Sequence, residues 1–375
     1  MAGGLPGILE KRLEGARLTP EEGARLWDCD LLSLGRAAAC LVRRLHPDRR
    51  VTFLVDRNIS YTNACVIDCD FCAFYRRPGH REIYTLTHEQ IFEKVRELAE
   101  LGGTQVLIQG GLNPDLPLEY YLGLVRGIRE RFPAIRIHSF SAIEMDMLSR
   151  KNRLSLPEIF RRFKEAGLNS LPGGGAEILV ERVRRRISPK KISSDRWLEI
   201  MQTAHECGLR STATMVFGHV ETPAERIEHL VRIRELQDRT GGFRAFIPWS
   251  LSPRGTPRMS GWEEALGEDY LKTVAISRLM LDNVDHIQSG WLTEGLKLGQ
   301  VALAFGCDDM GGTLLEDKVL EPTGIKVRTR REDLVRLIRE AGFVPAERNT
   351  DYEILKTCEG PDDGDSRKRQ DQEAF

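Results

Sequence analysis

The sequence predicts an α/β protein, a TIM-type (β/α)8 barrel with a helical N-terminal lead-in and a C-terminal extension. Eight short β-rich runs recur along the chain, with amphipathic runs of helical spacing between them. The length of 375 residues exceeds the roughly 250 of a bare barrel. The excess leaves room for a segment at each end.

Residues 1–50 read as a helical cap. Thr19 followed by Glu22 is a capping-box pattern, and "LLSLGRAAACLVRRL" is apolar at helical spacing up to a proline. The barrel is expected over 51–320, with strands at 58–63, 104–110, 135–141, 168–173, 210–218, 243–249, 285–290 and 301–306. Gly167 and Gly208 each follow a helical run and lead directly into the next strand, the pattern of a helix stop. Residues 321–356 form the extension, with a helix that ends by the same logic. The polar segment 357–375 is expected to be disordered.

Lysine and arginine number 55 against 56 aspartates and glutamates, so no global field draws the chain to nucleic acid or to an acidic membrane surface. A small-molecule partner is expected. No run approaches the roughly 20 apolar residues of a membrane span, and the first residues lack the pattern of a secretory signal. The expected location is the cytoplasm, where eight cysteines serve metal or redox chemistry better than a disulfide framework.

Three of those cysteines, Cys65, Cys69 and Cys72, lie within "NACVIDCDFCAFYRR" after the first barrel strand. No fourth follows in the same loop. Three thiolates suit a zinc ion completed by His80 or His88, or an iron–sulfur cluster with one iron left open. The neighbouring strand ends are polar and glycine-rich: "QGGLNP" at 109–114, "PGGGAE" at 172–177, "FGHVET" at 217–222 and "IPWSLSP" at 247–253. In a barrel all of these fall on the rim that carries chemistry.

C-x3-C-x2-C with an aromatic (Phe71) before the last cysteine resembles the radical S-adenosylmethionine (radical SAM) enzymes. The resemblance implies that Cys65, Cys69 and Cys72 hold a 4Fe-4S cluster whose open iron binds S-adenosyl-L-methionine. It also implies an external electron donor of flavodoxin or ferredoxin type. By the same resemblance Gly110 and Gly111 meet the methionine amino group, Glu177 the ribose, Lys191 or Lys190 the carboxylate, and the backbone of Val216 to His219 the adenine. The run "RVRRRISPKK" that holds those lysines reads, by its charge density, mostly as a solvated face.

From about Asp56 to Leu355 the chain resembles the radical enzymes of the futalosine route to menaquinone, through "RNISYTNACVIDCDFCAFYR", "LPGGGAEIL", "GGFRAFIPW" and "GCDDMGGTLLE". Two enzyme types share the pattern, a cyclic dehypoxanthinyl futalosine synthase and an aminofutalosine synthase. Tyr75-Arg76 and Trp249 resemble the first more. The resemblance implies a sugar linked through a ketone chain to a benzoate. A hydrogen leaves the sugar C4′, the carbon radical closes on the benzoate ring, and one electron and one proton then depart.

Substrate contacts are expected from Arg76, as the partner of the benzoate carboxylate, and from His138, Ser141, Trp249 and Gln288, with Ser139, Glu221 and Ser289 nearby. Candidates for the catalytic base are His138, Glu144, His219 and Asp308, with Asp309 beside the last and both aspartates placed after the eighth strand. His205 and His229 lie in helical runs and read as packing or surface residues.

Overall fold

The computed structural model describes residues 4–325 and 329–358. After the lead-in helices Leu5–Leu13, Pro20–Arg25 and Leu31–Leu45, the chain enters strands β1 (Arg50–Leu54) and β2 (Asp56–Ser60), separated by Val55 alone. Six more parallel strands follow: β3 (Gln105–Gln109), β4 (Arg136–Ser139), β5 (Ser170–Leu171), β6 (Arg210–Phe217), β7 (Phe243–Ser250) and β8 (His286–Ile287). Strands β2 to β8 pair in chain order as one seven-stranded sheet. Helices between them bury apolar faces on its outside, as Ile91, Phe92, Val95 and Leu98 do in the helix His88–Glu100.

The eighth strand differs from expectation. Residues 301–306 finish a helix (Trp291–Ala302) and a 3-10 turn (Leu303–Phe305), and the strand is β9 (Asp309–Gly312). β9 joins β8 through a bridge between Gln288 and Asp309 and pairs in parallel with β1. It belongs to a second sheet, ordered β11-β10-β1-β9, with β10 (Val344–Arg348) and β11 (Ile354–Thr357). The sequence reading did not foresee β1, β10 or β11. Each depends on a partner from the opposite end of the chain, as in the pairing of Arg50 with Val344.

Several local signals are built as read. Thr19 and Glu22 exchange both bonds of the capping box, with the Thr19 amide donating to Glu22 Oε2 at 2.8 Å and the Glu22 amide to Thr19 Oγ1 at 3.2 Å. Gly167 (φ 119°) and Gly208 (φ 76°) end their helices in the left-handed region, where a side chain would be strained. The 357–375 expectation falls from residue 359 onward outside the described residues, while Thr357 closes β11. No helix among the described residues is long and apolar enough to cross a membrane.

The connection after β10 lies under the sheet, at the strand starts. Arg348 pairs with Asp309 at 2.6 Å, Arg244 of β7 donates to the Thr350 carbonyl at 2.5 Å, and Tyr352 stacks on His286 at 3.8 Å. The other end of the strands carries the polar loops.

Candidate active site

The cysteine loop leaves β2 and is folded by its own polar groups. The Cys65 amide donates to the Arg76 carbonyl (2.9 Å) and the Arg76 amide to the Asn63 carbonyl (2.7 Å). The Arg76 guanidinium turns back on the loop, donating to the carbonyls of Ala73, Phe74 and Tyr75 while pairing with Glu82 at 2.8 Å. The expectation that Arg76 binds a substrate carboxylate meets a side chain whose donors already brace the loop. Cys65 and Cys69 are buried with Ile67, and Phe71, Cys72, Tyr75 and Leu112 pack around them.

Two aspartates inside the motif, Asp68 and Asp70, tie this loop to the segment after β5. Asp68 pairs with Lys190 at 3.1 Å and with Arg77, and Asp70 with Arg186 at 3.1 Å and with Arg258. The Asp70 amide also donates to the Ile187 carbonyl at 2.9 Å. The sequence reading missed these clamps. Their signal was two acids within a mostly apolar cysteine loop, matched by a run of cations about 120 residues on.

That run divides. Arg182, Arg185, Arg186 and Lys190 are more than half exposed, as a solvated face requires, whereas Arg184 is buried and Lys191 is 11% exposed. Arg184 donates to the carbonyls of Gly175, Ala176 and Ile192 and so fixes the bend that carries Glu177. Lys191 pairs with Glu177, and its ammonium lies 5.0 Å from the centre of the Phe71 ring. Burial opposes the ammonium, yet the nearby Cys69 sulfur and Glu177 carboxylate hold its pKa above the ordinary lysine value. Glu177 Oε2 is buried and has no hydrogen-bond partner. An orphaned carboxylate oxygen suits a hydroxyl donor such as a ribose.

Burial raises the Cys72 thiol and pushes Cys69 up to about 12 despite Lys191. Burial thus favours the neutral thiol at both positions. A tetrahedral zinc would bring its sulfurs to about 3.8 Å of one another, given Zn–S near 2.3 Å. Among the described residues, the group of three metal-ligand side chains with all ligand atoms within 4.8 Å is His46, His286 and Asp308, not the cysteines. His88 is turned to the Tyr120 carbonyl (2.8 Å), and His80 Nδ1 accepts from the Glu82 amide (3.2 Å). Three thiols in one loop, with both histidines otherwise engaged, form a donor set that suits an iron–sulfur cluster with one open position.

The glycine pair packs against this loop. A Cβ on Gly111 would lie 2.2 Å from the Ala64 carbonyl oxygen, and one on Gly110 2.7 Å from the Tyr61 ring. The Gly111 amide donates to the Thr62 carbonyl at 2.8 Å, and the Gly110 backbone lies close enough to Glu144 to favour its carboxylate form. An ammonium only donates, so any contact it makes with these two residues uses their carbonyls.

The remaining candidates separate by what already holds them. Glu144 is buried, which raises its pKa, and it accepts from Tyr61 Oη (2.8 Å) and from the Ser141 amide and hydroxyl (2.7 Å each). Glu144 and Ser141 therefore cap the helix Ala142–Asn152. His219 is spent in its turn, with Nε2 on the Val216 carbonyl (2.8 Å) and Nδ1 between the Val220 amide (2.8 Å) and the Glu221 carboxylate (2.7 Å). The Val216 amide donates to the Glu177 carbonyl at 3.1 Å.

His138 on β4 is buried against Ser170 Oγ at 2.7 Å and Arg244 at 3.4 Å. Burial, Arg244 and Arg348 depress its pKa well below 6.5, so it is neutral. Trp249 and Gln288 are partly exposed at the ends of β7 and β8. Ser139 accepts from the Ile108 amide (3.2 Å), and Ser289 donates to the Gly299 carbonyl (3.2 Å).

Asp308 and Asp309 fall at the opposite end from expectation, because Asp308 precedes β9 and Asp309 opens it, instead of both following a strand. Asp308 is bound to Arg278 and His286, and Asp309 to Arg348. His205 and His229 pack as expected, the first against Phe243 and the second beneath the Leu179 amide. Glu294, which accepts from the Ser250 amide (2.9 Å) and hydroxyl (2.6 Å) at the end of β7, went unnoticed in the sequence.

Comparison with known proteins accords with this geometry. Residues 59–233 match the radical SAM superfamily, and residues 240–360 the CofH/MqnC C-terminal region. A cyclic dehypoxanthine futalosine synthase of Halalkalibacterium halodurans is 44% identical over 95% of this chain and 96% of its own. An aminodeoxyfutalosine synthase of Thermus thermophilus is 41% identical over 93% and 95%. Among solved structures, methylornithine synthase (PylB) superposes with a TM-score of 0.71 at 19% identity, covering 90% of this chain and 97% of that one. The chain belongs to the radical SAM superfamily and carries the CofH/MqnC C-terminal region.

Proposed function

We propose that this protein is a radical SAM cyclase that converts dehypoxanthine futalosine to cyclic dehypoxanthinyl futalosine in menaquinone biosynthesis, in the cytoplasm and with an external flavodoxin- or ferredoxin-type reductant. The end-to-end match with a synthase of that name, above the match with the aminodeoxyfutalosine enzyme, carries this reading. A 4Fe-4S cluster with S-adenosyl-L-methionine supplies a 5′-deoxyadenosyl radical when bound.

Cys65, Cys69 and Cys72 are the residues to hold the cluster, in a loop braced by Arg76 and by the clamps on Asp68 and Asp70. Lys191 and the orphaned oxygen of Glu177 offer a cation and an acceptor to the cofactor's carboxylate and ribose. Inside the barrel Arg244 can only donate, so His138 Nδ1 accepts and its proton resides on Nε2. His138 thus suits donation to a substrate oxygen better than proton removal. Trp249 and Gln288 flank the mouth from adjacent strands.

The test is product analysis with anaerobically reconstituted enzyme, a reductant, S-adenosylmethionine and dehypoxanthine futalosine. Expected are 5′-deoxyadenosine and a product two hydrogens lighter than substrate, both lost in Cys65→Ala, Cys69→Ala and Cys72→Ala. An adenosyl adduct formed from an enolpyruvyl-ether benzoate would instead assign an aminofutalosine synthase.

A further inference from the structure

At the strand starts, the end remote from the cysteine loop, two histidines and an aspartate meet. His46 caps the end of the lead-in helix Leu31–Leu45, His286 opens β8 and Asp308 precedes β9. His286 Nδ1 lies 2.6 Å and His46 Nε2 2.9 Å from the same oxygen, Asp308 Oδ2, and all three ligand atoms fall within 4.8 Å of one another. We propose that this cluster is a binding site for a divalent transition-metal ion of the zinc class, distinct from the cysteine loop.

Four observations carry the assignment. First, zinc ligands at about 2.0–2.1 Å stand roughly 2.9–3.4 Å apart; the two nitrogen–oxygen spacings, 2.6 and 2.9 Å, lie just at or below that range, and the two nitrogens lie within 4.8 Å of each other. Second, His46 Nε2 is buried without a well-formed hydrogen bond despite its closeness to Oδ2. A nitrogen held off the axis of a hydrogen bond keeps its lone pair for another acceptor of electrons.

Third, the supports that hold metal ligands in place are present. Asp308 Oδ1, the oxygen facing away from the histidines, accepts from Arg278 and from the Ile287 amide at 2.7 Å. The His286 ring is stacked on Tyr352 at 3.8 Å and faces His46 at 5.5 Å. Fourth, the side chains of His46 and His286 are 24% and 16% exposed, which leaves an approach for the ion and room for water as a further ligand. The surrounding charges balance, Arg278 against Asp308 and Arg348 against Asp309. Two imidazole nitrogens and one carboxylate oxygen form a borderline donor set that suits zinc over calcium or magnesium. An ion here fastens the lead-in helix, β8 and β9 to one point and takes no part in chemistry at the rim.

The experiment is equilibrium dialysis of cluster-loaded enzyme against zinc, with metal counted by mass spectrometry and thermal midpoints recorded with and without the ion. Wild type is expected to bind one zinc per chain beyond its iron and to melt higher in its presence. His46→Gln and His286→Gln, with iron content unchanged, should bind zinc at least about tenfold more weakly and lose the thermal shift. Absence of bound zinc in wild type overturns the proposal. So does equal zinc in wild type and both variants, which would place the ion on cysteines.

Discussion

Lys191→Met removes a cation from between Glu177, Cys69 and the Phe71 ring while nearly preserving the volume of the stem. The side chains of Lys191 and Glu177 are 11% and 5% exposed, so the loss strands a carboxylate away from water. Breaking a buried pair from one side costs about 3–5 kcal/mol. Here Arg184 remains 3.8 Å from Glu177 Oε2 as a partial counter-charge, which places the electrostatic loss near the lower end. The lost contact with the Phe71 face adds about 1 kcal/mol, for a total of about 4 kcal/mol. Glu177→Gln in the Lys191→Met background removes the stranded charge and should return at least about 2 kcal/mol of coupling. Urea unfolding of the cluster-free, reduced protein measures both, as midpoint shifts at constant slope. A Lys191→Met protein within about 1 kcal/mol of wild type, or single effects that simply add, would refute the buried-pair account.

Two further outcomes follow from the geometry. Gly111→Ala forces a Cβ to 2.2 Å from the Ala64 carbonyl, a backbone atom of the cysteine loop that cannot swing aside. Iron content after reconstitution should fall sharply, and full iron occupancy would show that the loop yields. Glu221 is buried, but His219, Arg226 and the Gly218 amide hold its carboxylate down to about 2. Its contribution, about 3 kcal/mol, is complete above the unfolded glutamate pKa and is lost as pH falls from about 4.5 toward 2. Thermal midpoints should therefore decline less steeply over that range in Glu221→Gln than in wild type, and equal slopes would contradict the shift.

The sequence carried the rim well, because cysteine spacing, glycine stops and polar strand ends are local signals. It carried side-chain commitments poorly. Arg76 read as a ligand for substrate because nothing in "FYRR" shows that its guanidinium folds back on its own carbonyls. His219 read as a base because the contact with the Val216 carbonyl exists only once the turn is built. The displaced eighth strand moved Asp308 from one end of the barrel to the other. "VALAFG" is apolar and short, and such a run packs equally well as the end of a helix. Long-range pairing hid the rest, since β1 is a strand largely because residues near 346 and 310 lie beside it.

The pairing of β1 with β10 has a consequence for the order of events during synthesis. The cysteine loop follows directly on β1 and β2, yet the lateral support of β1 lies about 300 residues later in the chain. At about 5–20 residues per second on the ribosome, that support emerges roughly 15–60 s after the loop. Until then β1 is an unpaired edge, while β2, which carries the loop, finds its partner β3 about 50 residues on, from Asp56 to Gln105. The cysteine loop is therefore hung early on a paired strand, and the sheet beside that strand closes only once Val344–Arg348 has been made.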